Sequence, residues 1–130
     1  MSDNIIQVNQ EVIHTELKDL VRTSVEEALN AMLDAEADAI CNAQKYEHNP
    51  ERKDTRAGYY ERNLHTKAGE VSLKMPKLRM LPFDTAIIER YKRREISVEE
   101  SLVERYLAGV SVRRVEDITE ALWGTKVSPG

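Results

Sequence analysis

Between Val12 and Ala43 the apolar side chains recur every three or four positions, at Ile13, Leu17, Leu20, Val21, Val25, Ala28, Leu29, Met32, Leu33 and Ile40, with no Pro or Gly among them. That period predicts one long amphipathic helix, or two nearly collinear ones. The opposite positions hold Glu16, Asp19, Glu26, Glu27, Asp34 and Asp38, which reads as a solvated acidic face. Asn49-Pro50 ends the helical stretch, because a residue before Pro avoids the α region. Residues 51–57 then read as a charged linker.

The period next changes from helical to alternating. Tyr59–Thr66 and Glu70–Met75 read as two strands joined by Lys67-Ala68-Gly69, with the Gly supplying a positive φ. Val71, Leu73 and Met75 fall on one side of the second strand, and Ser72 and Lys74 on the other. Pro76 and Pro82 are expected to confine that strand. A lone hairpin is marginal in water, so it has to lean on other elements.

Helical spacing returns at Phe83, Ile87, Ile88 and Tyr91, in a segment expected to run from Phe83 to Arg94. Ser97-Val98-Glu99-Glu100 has the form of a capping box and predicts a separate helix burying Leu102, Val103, Tyr106 and Leu107 and stopping at Gly109. Ser111 can cap a third, with Val115, Ile118 and Leu122 on one face and Gly124 as its stop. Trp123 is expected to plug the core at its last turn. Ser128-Pro129 repeats a helix-start signal just before Gly130. Two short helices, a Gly turn and a third helix about to begin outline an incomplete helix-turn-helix.

The fold class expected is therefore α+β and mainly helical, with a long N-terminal helix, a small β-hairpin and C-terminal helices. Its regions are a helical one over 1–50, a basic linker and hairpin over 51–82, and a helical DNA-binding region over 83–130. At 130 residues, 41% hydrophobic but only 5% aromatic, the chain can bury one aliphatic core. One cysteine, Cys41, excludes an internal disulfide, and with three scattered histidines it falls short of a structural zinc set. Cys41 reads as a small core residue. With no basic leader followed by an apolar run, and no stretch of membrane-spanning length, the chain is expected to be cytoplasmic, without a membrane partner.

Charge sharpens the picture. The net charge of −4 hides a segregation: −7 over residues 1–50, +6 over 51–94 and −3 over 95–130. An acidic chain with a localised basic block is suited to a phosphate site on one surface rather than to indiscriminate nucleic-acid binding. Cations spaced along a β-ribbon can track phosphates, and interleaved tyrosines can pack on sugar or base. The candidate DNA-binding residues are Arg56, Tyr60, Arg62, Lys67, Lys74, Lys77 and Arg79 on the ribbon, Lys92, Arg93 and Arg94 on the following helix, and Arg113 and Arg114 at the start of the last one.

The same residues carry a resemblance. Gly58-Tyr59-Tyr60-Glu61-Arg62, then Leu64-His65-Thr66-Lys67-Ala68-Gly69, then Leu73-Lys74-Met75-Pro76-Lys77-Leu78-Arg79 closely resemble the Mutator-type insertion-sequence transposases of bacteria. The likeness continues through Glu89-Arg90-Tyr91, Leu107-Ala108-Gly109-Val110-Ser111 and Arg113-Arg114-Val115-Glu116-Asp117. It implies a role in transposition of an insertion sequence, with DNA, the element's terminal inverted repeats, as partner. It also implies a downstream catalytic domain on which three carboxylates hold two Mg²⁺ ions. The expectation is that this chain is an N-terminal piece, truncated before that domain, with no cofactor and no catalytic residue of its own.

Asp34, Asp84 and Asp117 have no shared scaffold and make no convincing triad. Asp117 is expected to pair with Arg113 or Arg114 at helical spacing. A tyrosine nucleophile at Tyr59 or Tyr60, assisted by Arg56, Arg62 and His65, would need groups converging from more than one ribbon. His48 and His65 read as solvated. The alternative function is a helical self-association module, a homo-oligomer or a mixed oligomer with full-length transposase, that modulates the intact enzyme.

Overall fold

The computed structural model describes residues 2–44, 46–110 and 114–123, with side chains described from residue 15 onward except at 114 and 115. Its elements are α1 (Ser2–Cys41), β1 (Arg56–Thr66), β2 (Gly69–Leu78), α2 (Ile87–Leu107) and α3 (Arg114–Trp123). The α+β, mainly helical class and the long first helix are as expected. That helix begins earlier than the apolar period and closes earlier than Asn49-Pro50. Asn42 turns into the left-handed region at φ 56, and the amides of Asn42 and Ala43 bond back to Ala39 and Asp38.

Segment 42–55 is not a loose charged linker. The Arg52 guanidinium donates to the carbonyls of Gln44, Glu47 and Asp54 at 2.6–3.3 Å. Asp54, buried, accepts the amides of Thr55, Met80 and Leu81, so one carboxylate ties the entrance of β1 to the exit of β2.

β1 and β2 form an antiparallel two-stranded sheet in the register Tyr60↔Met75, Arg62↔Leu73, Leu64↔Val71 and Thr66↔Gly69. The second strand runs past Pro76, contrary to expectation. Ser72 and Lys74 turn their backbone groups away from β1, as bonds to α1 side chains show. By alternation Pro76 does too, so the ladder loses no N–H there. Opposite Pro76 the register shifts by one residue, with Gly58 in the bulge at φ +88.

A single cluster of buried side chains joins the layers: Val21, Val25, Leu29 and Leu33 of α1, Val71, Leu73 and Met75 of β2, Ile88, Tyr91 and Leu102 of α2, and Ile118 and Leu122 of α3. Burial pushes the phenol of Tyr91 well above its ordinary pKa, with Glu95 and Glu99 adding to it.

Ile87–Leu107 is two helical limbs that meet at a kink at Arg94 (φ −116, ψ 17), where the sequence placed the end of the first helix. The second limb begins ahead of Ser97, so that residue lies within it rather than at its cap. Tyr91 on one limb and Val98 and Leu102 on the other enter the same core. Tyr106 and Leu107, expected inside, are exposed. Gly109, at φ +72, ends the helix as expected. Its amide bonds to Tyr106, and that of Val110 to Arg105. The expected cap at Ser111 and the helix start at Ser128-Pro129 lie outside the described residues, as does Arg113.

Candidate nucleic-acid interface

One stripe of α1 decides how the ribbon is held. Arg22, Glu26, Asn30, Asp34 and Asp38 follow one another at intervals of four, so each is the neighbour of the next in one row that winds slowly around the helix. Each meets the hairpin. Arg22 lies under the turn, where a Cβ built on Gly69 would come within 3.1 Å of its Cδ. Glu26 accepts the Ser72 amide at 2.9 Å. Asn30 donates to the Ser72 carbonyl at 3.1 Å and accepts from the Lys74 amide at 2.8 Å. Asp34 and Asp38 both receive the Arg56 guanidinium. The helix thus takes the place of a third strand along β2. For Glu26, Asp34 and Asp38 this corrects the solvated acidic face, whereas Glu16, Asp19 and Glu27 are exposed as expected.

The candidate cations separate into groups. Arg56 is turned inward: its side chain keeps only 7% of its surface and bonds Asp34, Asp38 and the Tyr59 hydroxyl. Desolvation works against its charge, but the hydrogen bond to Asp34 and the adjacent carboxylates outweigh this and raise its pKa. Tyr59 also donates to Asp34 at 2.9 Å, which explains its place in the motif without chemistry at its oxygen.

Directly paired residues share a face of an antiparallel sheet, so Tyr60 and Arg62 stand on the side of Met75 and Leu73, as does Lys77 two residues on. On β1 they project beyond the helices and are exposed, with the Lys77 ammonium 5.8 Å from the centre of the Tyr60 ring. Lys74 occupies the other face, directly opposite Glu61, where Ser72 Oγ donates to that same carboxylate.

Lys67 is exposed at the turn, and its amide is held by the Glu95 carboxylate of α2. Arg79 is exposed at the base, its amide bonded to Thr55. Lys92, Arg93 and Arg94 are exposed where α2 bends. The side chain of Arg114 lies outside the described residues.

Asp117, buried, faces Arg105 of α2 at 3.6 Å, which ties the last two helices together, while the side chains of Arg113 and Arg114, its expected partners, lie outside the described residues. Trp123 is 43% exposed rather than a core plug, with the Arg90 guanidinium 5.0 Å from its ring centre and Arg90 Nε bonded to the Leu122 carbonyl. Tyr46, His48, Asn49, Arg52 and Tyr59 line a cleft of about 590 Å³ beside the start of β1, a feature no sequence motif announced.

Four of the acids are engaged within the fold. Asp34 and Asp38 are turned to Arg56, Asp54 to backbone amides, and Asp117 to Arg105. Among the described residues, no three His, Cys, Asp or Glu are grouped to hold a metal ion. Nor is any described helix long and apolar enough to cross a membrane.

The model of the Mutator transposase family matches residues 1–130. The chain belongs to that family. It is 41% identical over 108 residues to the transposase for insertion sequence element ISRM5 of Rhizobium meliloti, covering 83% of this chain and 26% of the relative. It is 35% identical over 120 residues to the transposase for IS256 in transposon Tn4001 of Staphylococcus aureus, covering 92% and 31%. To the transposase for IS1081 of Mycobacterium tuberculosis it is 38% identical over 111 residues, covering 85% and 27%. The chain therefore spans about a quarter to a third of the length of these curated relatives. The Mutator-family motif around Gly58-Tyr59-Tyr60-Glu61-Arg62 is, in this fold, the bulged outer strand and its anchor on α1.

Proposed function

We propose that this chain is the DNA-binding N-terminal part of a Mutator-family transposase, holding the terminal inverted repeats of its element through their phosphates. The observation that supports this is the sorting of cations: Arg56 is engaged by α1, while the exposed side chains of Arg62 and Lys77 stand with that of Tyr60 on the same side of the ribbon. Lysine and arginine on a common face can meet successive phosphates, and a tyrosine between them offers a ring to sugar or base. Lys67 and Arg79 extend this surface along the ribbon, and Lys92, Arg93 and Arg94 add cations on α2. The second limb of α2 and α3 supply the first two helices of a helix-turn-helix, with Arg113 and Arg114 touching the backbone beside the groove.

Lys74 contributes least, since Glu61 across the strand offsets it. The chain carries no strand-transfer chemistry of its own, because its clustered acids are engaged with Arg56, Arg105 and backbone amides. Mg²⁺ would act on carboxylates elsewhere in a full-length enzyme.

A salt titration tests the assignment. Reversing Arg62 and Lys77 to Glu lowers the slope of log K against log salt by about 0.9 for each duplex phosphate no longer neutralised, and Lys74→Glu leaves it nearly unchanged. Equal effects from all three would mean that the facial sorting does not govern DNA binding.

A further inference from the structure

One edge of the ribbon is covered and the other is open. Along β2 the outward backbone groups of Ser72 and Lys74 are met by Glu26 and Asn30. Their partners Asn63 and Glu61 therefore sit in the widely spaced pairs of the ladder, with their own N–H and C=O directed away from β2, and His65 follows by alternation. Among the described residues, no group bonds these edge amides. From Tyr59 to Thr66 the strand has no Pro, and its bulge lies outside that span at Gly58. Such an edge is a template for another strand.

We infer that the open edge of β1 pairs antiparallel with β1 of a second copy of this chain, about a two-fold axis at Asn63. Charge and backbone bonding select this register over its neighbours. An axis at Glu61 would set two carboxylates against each other, and one at Arg62 would set two guanidinium groups against each other. An axis at Leu64 would call on the backbone of Lys67, whose amide is already held by Glu95.

With the axis at Asn63, Glu61 of each copy stands opposite His65 of the other, and Asn63 faces Asn63. Residues 61, 63 and 65 would exchange about six backbone hydrogen bonds in the narrow-pair pattern. The ribbon becomes a four-stranded sheet with α1 along each outer edge. The Tyr60, Arg62 and Lys77 faces of both copies lie on the same side of it, because they share a face within each ribbon. This pairing does not depend on DNA binding.

Directed cross-linking of the whole chain tests it. Opposed Cα atoms in a narrow pair lie about 5.5 Å apart, within disulfide reach, so Asn63→Cys forms a covalent dimer under mild oxidation. Tyr60→Cys does not, because position 60 lies six residues, about 20 Å at ~3.3 Å per residue, from its counterpart. Unaltered protein, with only the buried Cys41, gives the background.

Sedimentation supplies the second measurement: Glu61→Lys weakens the dimer about tenfold, and adding His65→Glu restores it. Equal cross-linking at 60 and 63, or a wild-type chain that stays monomeric at the highest concentration reached, overturns the proposal. So does a dimer indifferent to both charge changes. Circular dichroism on each variant excludes misfolding as the cause.

Discussion

Asn30 of α1 bonds the main chain of β2 as a neighbouring strand would. Its side-chain amide donates to the Ser72 carbonyl and accepts from the Lys74 amide two residues away. Replacing Asn30 by Leu keeps the volume but leaves one donor and one acceptor of the sheet edge unmet. The expected loss is about 1–2 kcal/mol, at the low end for two unsatisfied groups because water can reach the exposed Lys74 side. Urea unfolding measures it, and a loss under a few tenths would mean that the amide is dispensable.

Arg56 is predicted to matter for stability rather than for DNA. Arg56→Ala leaves Asp34 and Asp38 facing each other without their shared cation. A fully buried pair broken in this way costs ~3–5 kcal/mol, but Asp34 and Asp38 retain 48% and 33% of their exposure, so about 2 kcal/mol is expected. The salt slope of DNA binding, taken below the melting transition, stays at the wild-type value. A drop close to that of Arg62→Glu would return Arg56 to the DNA surface.

Asp54 sets an acid limit on stability. Burial alone would raise the pKa of its carboxyl, yet the amides of Leu81, Thr55 and Met80 hold the charged form and bring it below the ordinary value. A depressed folded pKa contributes stability that is fully present above the unfolded value near ~3.9 and disappears as pH falls through the folded one. Asp54→Asn should therefore melt below wild type at pH 7, with the gap closing as pH drops beneath about 4. A gap constant from pH 7 to pH 3 would assign the effect to altered shape rather than to the missing charge.

Gly109 closes α2 at φ +72 with open space around the position of a Cβ. Gly109→Ala tests backbone strain free of any clash, and ~1–2 kcal/mol is expected. Gly109→Asn should cost less, since Asn tolerates the left-handed region. If the two substitutions cost the same, the strain does not arise at this φ.

Much of the fold was legible along the chain because it rests on short-range periods. Spacings of three and four among Val21, Val25, Leu29 and Leu33 specify a helix and its buried stripe. Alternation through Val71, Leu73 and Met75 specifies a strand and its inward face, and Gly109 its helix stop. The family motif marked the ribbon as well.

What the sequence left open depended on which surfaces meet. Glu26, Asn30, Asp34 and Asp38 have the same spacing whether they face water or a sheet edge, and only the docking of β2 on α1 made them a clasp. Arg56 and Arg62 look alike in a basic stretch. The bulge at Gly58 and the place of β1 in the pair turned one toward two carboxylates and the other toward solvent. The sequence marked the break at Arg94, but only the packed core showed how the two limbs are angled there so that Tyr91 on one and Val98 and Leu102 on the other meet the same cluster. Local propensity contributes about a kcal/mol per residue or less, whereas burying one large apolar side chain contributes ~1.5–3, so packing decided where the two disagreed.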